Sequence, residues 1–247
     1  MTMRAGLFSA LVAASALAGC VDPMGMPAGG GYGGGGYEQA ADPIRPAALP
    51  SQASFTTVIA RVEPVATRYC RDLGRAARCD FRIIIDDRPG QPVNAYQTLD
   101  QSGRPVLAFT KALIDDARNS DELAFVIGHE AAHQILGHIP QQQQNAMTGA
   151  LLAGVVAAAA GVSAVDVQTA QQVGATVAAR RYSKDFELQA DALGAEIAWK
   201  SGFDPVRGTG FFDRLPDPGD KFLGTHPANG DRKAVVRQVV ARLESGG

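Results

Sequence analysis

The chain has four histidines in 247 residues, and three lie in one ten-residue stretch, His129-Glu130-Ala131-Ala132-His133-Gln134-Ile135-Leu136-Gly137-His138. With so few His and Glu, HExxH is expected by chance roughly 0.002 times in such a sequence. Residues four apart share a helix face, so His129 and His133 can present imidazole nitrogens to one tetrahedral ion. Glu130 follows the first of them, where its carboxylate reaches a water without taking a coordination position. This pattern suits metal-assisted hydrolysis: zinc lowers the pKa of its water to about 7 and polarises a carbonyl, while the glutamate takes the proton. Two helical histidines satisfied by ordinary hydrogen bonds would explain a lone His, but not this motif.

The chemistry requires a helix, and the local sequence predicts one over about residues 120–138. Asn119 is a good N-cap with Glu122 three residues on, as in a capping box, and Asp121 and Glu122 put negative charge in the first turn. Leu123, Val126, Ile127, Ile135 and Leu136 supply apolar positions at mostly helical spacing, and Pro140 is expected to close the element.

Two ligands do not hold a catalytic zinc, so a third must come from elsewhere. The HExxHxxGxxH pattern would need Gly at 136 and His at 139, where the chain has Leu136 and Ile139. In a continuous helix His138 lies roughly 140° around from His133, which reads as a structural histidine facing away from the metal. The better candidate is Glu187, four residues before Asp191 and so on the same helical face. That pairing suits a carboxylate ligand beside a carboxylate that orients a ligand histidine through its other ring nitrogen. An exposed acidic helix face would explain the charge pair alone.

HExxH at His129 to His133, an acidic segment at Glu187 to Gly194, then Thr225-His226-Pro227 with Arg232, in that order, resembles the gluzincin zinc metalloendopeptidases of the HtpX, BepA and LoiP kind. These are HExxH enzymes related to the CAAX prenyl proteases, and the resemblance runs from about Asn94 to Arg232. It implies that His129, His133 and Glu187 bind one zinc ion, that Glu130 is the catalytic base, and that Asp191 sits next to the site. The chain departs from the family at Lys184, where Arg is frequent, and at Gln189, where a second acidic residue is frequent; neither change removes a ligand. His226 stands on an expected turn before a final helix. Three readings stay open for it: stabilising the oxyanion, occupying the open coordination position as a latch, or an ordinary loop histidine.

Residues 1–20 read as a secretory signal, with Arg4 followed by an uncharged apolar stretch from Ala5 to Ala18, too short to span a bilayer. Leu17-Ala18-Gly19-Cys20 resembles the bacterial lipobox, implying lipidation of Cys20; Val21 after it favours the periplasmic leaflet of a Gram-negative outer membrane. Residues 21–50 carry a Gly-rich run and five prolines, a composition expected of a flexible tether reaching roughly 30 Å. The remaining pair, Cys70 and Cys79, reads as one disulfide in an oxidising compartment.

Residues 51–247 are expected to form one α+β, zincin-like metallopeptidase domain, mostly helical, with a small sheet preceding the HExxH helix. Phe55 to Leu73 reads as an amphipathic helix; Cys79 to Ile85, Val93 to Leu99 and Val106 to Phe109 read as strands, with a turn at Asp100 to Gly103. Ala146 to Val165 carries no charge and is rich in Ala and Gly, leaving a helical lid, a loop and a membrane-inserted segment as alternatives.

A net charge of -2, with 19% charged residues and no basic run beyond Arg180-Arg181, argues against nucleic acid as a partner. The expected function is a zinc metalloendopeptidase in the periplasm that cuts unfolded or misassembled envelope proteins, held to the bilayer through Cys20. The rivals are a lipoprotein chaperone or assembly scaffold with a structural or latched zinc, and a zinc hydrolase of peptidoglycan peptides. Glu130 argues against the scaffold, because structural zinc needs no adjacent base.

Overall fold

Helix α1 (Gln52–Leu73) places Phe55, Val58, Val62, Ala66 and Cys70 on one buried stripe, the three- and four-residue spacing of an amphipathic helix. The computed structural model describes residues 52–74, 76, 78–215 and 227–246. The signal segment 1–20, the tether 21–50 and the Thr225-His226 pair lie outside them. The stripe packs on α3 (Ser120–Leu136) and, through Phe55, edge-on against Phe109 at 5.2 Å between ring centroids. At the end of α1, Cys70 bonds to Cys79 as expected, with Cα atoms 5.7 Å apart. Reducing this bond is expected to lower the unfolding free energy by about 2.5 to 3 kcal/mol in the chain-entropy account. Urea midpoints with and without reductant measure this, and the Cys70→Ser/Cys79→Ser protein should match the reduced one.

Three strands follow, β1 (Arg82–Asp86), β2 (Ala95–Leu99) and β3 (Pro105–Thr110), in the order β1-β3-β2. Central β3 is buried along its whole length, as its apolar run Val106-Leu107-Ala108-Phe109 requires. β1 joins it in parallel and β2 antiparallel. β1 starts three residues later than expected and β2 two, since their ladders with β3 begin at Arg82↔Val106 and Ala95↔Phe109. In the β2–β3 ladder, Thr110 N–H donates to Asn94 and Asp100 N–H to Arg104. The alternation of an antiparallel pair therefore turns the backbone groups of Ala95, Gln97 and Leu99 toward the opposite edge. Among the described residues no strand pairs there.

After a short α2 (Lys111–Asp116), α3 runs through the middle of the domain, with nearly every residue from Asp121 to Ala132 buried. Its N-cap is Asn119, whose side chain accepts from Glu122 N–H, while Glu122 reaches back to Arg118 N–H rather than to the cap residue's own. The helix ends at Leu136, not at Pro140. Gly137, at φ 71, takes the left-handed conformation and caps it. Pro140 instead falls in the first turn of α4 (His138–Ala159), where a missing N–H costs nothing.

α4 forms an antiparallel hairpin with the first half of α5 (Ala164–Lys200), so residues 146–165 are helical apart from a short turn and not a loop. At Gly149 and Gly174 the backbones meet so closely that a Cβ on either would lie 2.3 Å from the other's carbonyl oxygen. The outer face of α4 exposes Met147, Leu151, Leu152, Val155 and Val156. Among the described residues no helix is long and apolar enough to cross a membrane. The second half of α5 packs on α3 and on α7 (Asn229–Glu244), bridged by α6 (Pro205–Gly208) and a 3₁₀ turn (Thr209–Arg214). The result is a mostly helical α+β domain with the small sheet ahead of the HExxH helix.

Candidate metal centre

α3 and α5 cross at Gly128 and Gly194, where a Cβ on Gly194 would lie 2.7 Å from His129 N and 2.9 Å from its Cα. This close approach brings the His129 and His133 face of α3 against the Glu187 and Asp191 face of α5. His129 Nε2 and His133 Nε2 are 3.0 Å apart. Glu187 Oε2 lies 3.5 Å from His129 Nε2, and Oε1 lies 3.3 Å from His133 Nε2. Four ligands at about 2.0 to 2.1 Å from zinc form a tetrahedron whose edges are about 3.3 Å. The three separations, of which the two to Glu187 run to different oxygens of its carboxylate, are close to such edges, and the three residues are a group that could hold a metal ion. Charge also fits: once His129 and His133 are neutral, as ligation requires, the carboxyl groups of Glu130, Glu187 and Asp191 outnumber the Arg232 guanidinium, and a divalent cation offsets the difference.

His129 is oriented from behind. Its Nδ1 lies 2.9 Å from Asp191 Oδ1, which makes Nδ1 the protonated nitrogen and leaves Nε2 for the ligand cluster. Asp191 is fully buried and held in turn by Arg232, whose Nε and Nη2 donate at 2.7 Å to its two carboxylate oxygens. The guanidinium lies 4.0 Å over the Phe212 ring and 3.4 Å from Glu187 Oε2. Burial alone would raise the Asp191 pKa, but Arg232 and His129 overcome it and hold the carboxyl below its ordinary value. Burial also opposes charge on His129, yet Asp191 and Glu187 raise it to about 10. Glu130, buried beside these rings, is pushed above the ordinary glutamate value by desolvation.

His138 does not face away from this cluster. Because α3 stops at Gly137 and the chain restarts as α4, the angle of a continuous helix does not apply, and His138 Nδ1 lies 2.9 Å from His133 Nδ1. Burial first, then the neighbouring His133, push His138 down to about 3, so its ring is neutral. The signal for this was present as Gly137, a C-terminal capping glycine followed within three residues by a proline. Arg232 stood in the sequence pattern with no role attached, and the fold makes it the clamp on Asp191. His226 lies outside the described residues.

Residues 54–240 match peptidase family M48. The chain belongs to that family. A Vibrio cholerae serotype O1 protein is 29% identical over 200 residues, 71% of this chain and 39% of its own length. The beta-barrel assembly-enhancing protease of Escherichia coli O157:H7 is 26% identical over 198 residues, again 71% of this chain and 39% of the relative. Metalloprotease LoiP of Escherichia coli K12 is 26% identical over 192 residues, 72% of this chain and 73% of LoiP. The chain thus spans about two fifths of the first two and nearly three quarters of LoiP.

Proposed function

We propose that this M48 domain is a zinc-dependent endopeptidase in which His129, His133 and Glu187 hold the ion and Glu130 is the general base. The observation that carries the reading is the set of three donor separations, 3.0, 3.3 and 3.5 Å, beside a buried glutamate. Zinc, when bound, polarises the scissile carbonyl and makes a water acidic near neutral pH. Glu130 accepts the proton of the attacking water and passes it to the leaving amine, and its raised pKa suits a group that holds a proton between those steps. Asp191 and Arg232 keep His129 in the tautomer that leaves Nε2 to the metal. β2 contacts α3, and its edge away from β3 carries the Ala95, Gln97 and Leu99 backbone groups, a strand with which an extended substrate would pair.

The substrates are unfolded or misassembled proteins of the bacterial envelope, the enzyme being exported by residues 1–20 and held to the periplasmic leaflet of the outer membrane through Cys20. The names of its relatives support the substrate class, and Leu17 to Cys20 and the Cys70–Cys79 disulfide support export. The full chain loaded with zinc should cut a reduced, unfolded polypeptide, stop when a chelator removes the metal, and resume on adding zinc back. Absence of zinc-dependent cleavage across several unfolded substrates would overturn the reading.

Zinc affinity should rise with pH. In the metal-free protein His129 carries a proton up to about pH 10, and zinc binding must expel it. Raising the pH removes that competition, so the logarithm of the apparent association constant should climb by about one per pH unit between pH 7 and 9. Titration against a chromogenic chelator measures the slope, and a flat profile would contradict the assignment of His129 as a ligand.

A further inference from the structure

His138 is buried against the site without belonging to the three-residue ligand set. His133 turns Nε2 toward His129 and Glu187, so its Nδ1 is left to carry a proton and donate it. Metal-binding histidines ordinarily give that proton to a carboxylate, a carbonyl or water. His129 follows this rule with Asp191, whereas His133 faces an imidazole, Nδ1 to Nδ1 at 2.9 Å. The His138 ring lies flat on Phe186, with centroids 4.5 Å apart and 14° between planes, and Phe186 is the residue next to Glu187.

We propose that His138 is a positioning residue for the metal ligand His133: its Nδ1 lone pair accepts the His133 Nδ1–H, and stacking on Phe186 fixes the plane of that acceptor. The device is built across the helix break. Only because Gly137 turns left-handed does the first residue of α4 look back at the last turn of α3. Two ligands on one helix are therefore supported unequally, His129 by an anionic, arginine-clamped carboxylate and His133 by a ring that brings no charge of its own.

The inference rests on the metal reading given under Proposed function and is tested by zinc holding rather than by cleavage. In the full chain, His138→Leu removes the acceptor, and His138→Asn places an amide oxygen near the position of Nδ1. Three measurements are made on each: the zinc dissociation constant by chelator competition, the visible spectrum of the Co2+-loaded protein, and the Tm of the metal-free protein. The Leu variant should bind zinc about 10- to 100-fold more weakly and shift the cobalt bands. The Asn variant should stay within a few-fold of wild type, although both lose the same stacking on Phe186, and the metal-free Tm of each shows whether it is folded when its zinc affinity is read. Wild-type zinc affinity in the Leu variant would overturn the proposal, as would equal weakening in both, since that would make the stack and not the acceptor responsible. A wild-type protein that holds no zinc would remove the metal reading itself, an outcome distinct from a zinc-binding wild type with an unchanged Leu variant.

Discussion

Replacing Glu130 with Gln is expected to lower kcat on an unfolded polypeptide by about 10²- to 10⁴-fold while zinc binding stays near wild type. The amide keeps the volume and one acceptor of the side chain but cannot take a proton, and Glu130 is not among the three residues whose atoms cluster at ligand distance. The same factor should appear in kcat/KM, because proton transfer is a demand of the transition state and not of substrate binding. At about 1.4 kcal/mol per factor of ten, the loss is roughly 3 to 5.5 kcal/mol of barrier. Removing a buried carboxyl whose charge is disfavoured by desolvation should also leave the fold as stable as before or slightly more so. Cleavage within a few-fold of wild type at full zinc occupancy would show that Glu130 is not the base. Loss of zinc together with activity would place it in the ligand set instead.

Gly194→Ala should damage both the fold and the metal centre, although alanine is the better helix former. The intrinsic preference is worth about 1 kcal/mol in favour of alanine. Against it, the new Cβ would meet His129 N at 2.7 Å and the Gly128 carbonyl carbon at 3.0 Å, backbone atoms that no side-chain rotation can move. Overpacking of this kind costs about 1 to 3 kcal/mol, so the balance is destabilising. The relief available is separation of α3 from α5, which carries His129 and His133 away from Glu187 and Asp191. A misplacement of about 1 Å in a catalytic constellation costs roughly 10²-fold, and zinc should also be held less tightly. Denaturant unfolding and chelator competition measure the two effects. A variant as stable as wild type and with unchanged zinc affinity would mean that the helices do not approach as closely as Gly128 and Gly194 allow.

The share of the site that lies on one helix was legible from spacing. His129 and His133 are one helical turn apart, as are Glu187 and Asp191, and periodicity alone places each pair on a common face. Asn119 marked the start of α3 to the residue, because an N-cap is a local hydrogen bond between side chain and backbone three residues on. The end of α3 is not legible in the same way. Gly137 stops the helix three residues before Pro140, and a proline in the first turn of the next helix has the same local signature as one beyond the last turn of the previous helix. The break at Gly137 is also what brings His138 onto the His133 ring.

By itself, then, the sequence determined the two helix faces proposed to carry the ligands, the proposed base between the histidines, the disulfide pair and the family to which the chain belongs. Each depends on residues close in the chain or on an ordered set of motifs. Only the tertiary structure decided that the faces meet, through glycines at 128 and 194 that let two helix backbones nearly touch. It also decided that Arg232, on α7, locks Asp191, and that among the described residues no strand pairs with the outer edge of β2, the strand that contacts α3. Helical and strand periods record which way a side chain points from its own element. They carry no term for the distance between two elements, and the metal centre is made of such distances.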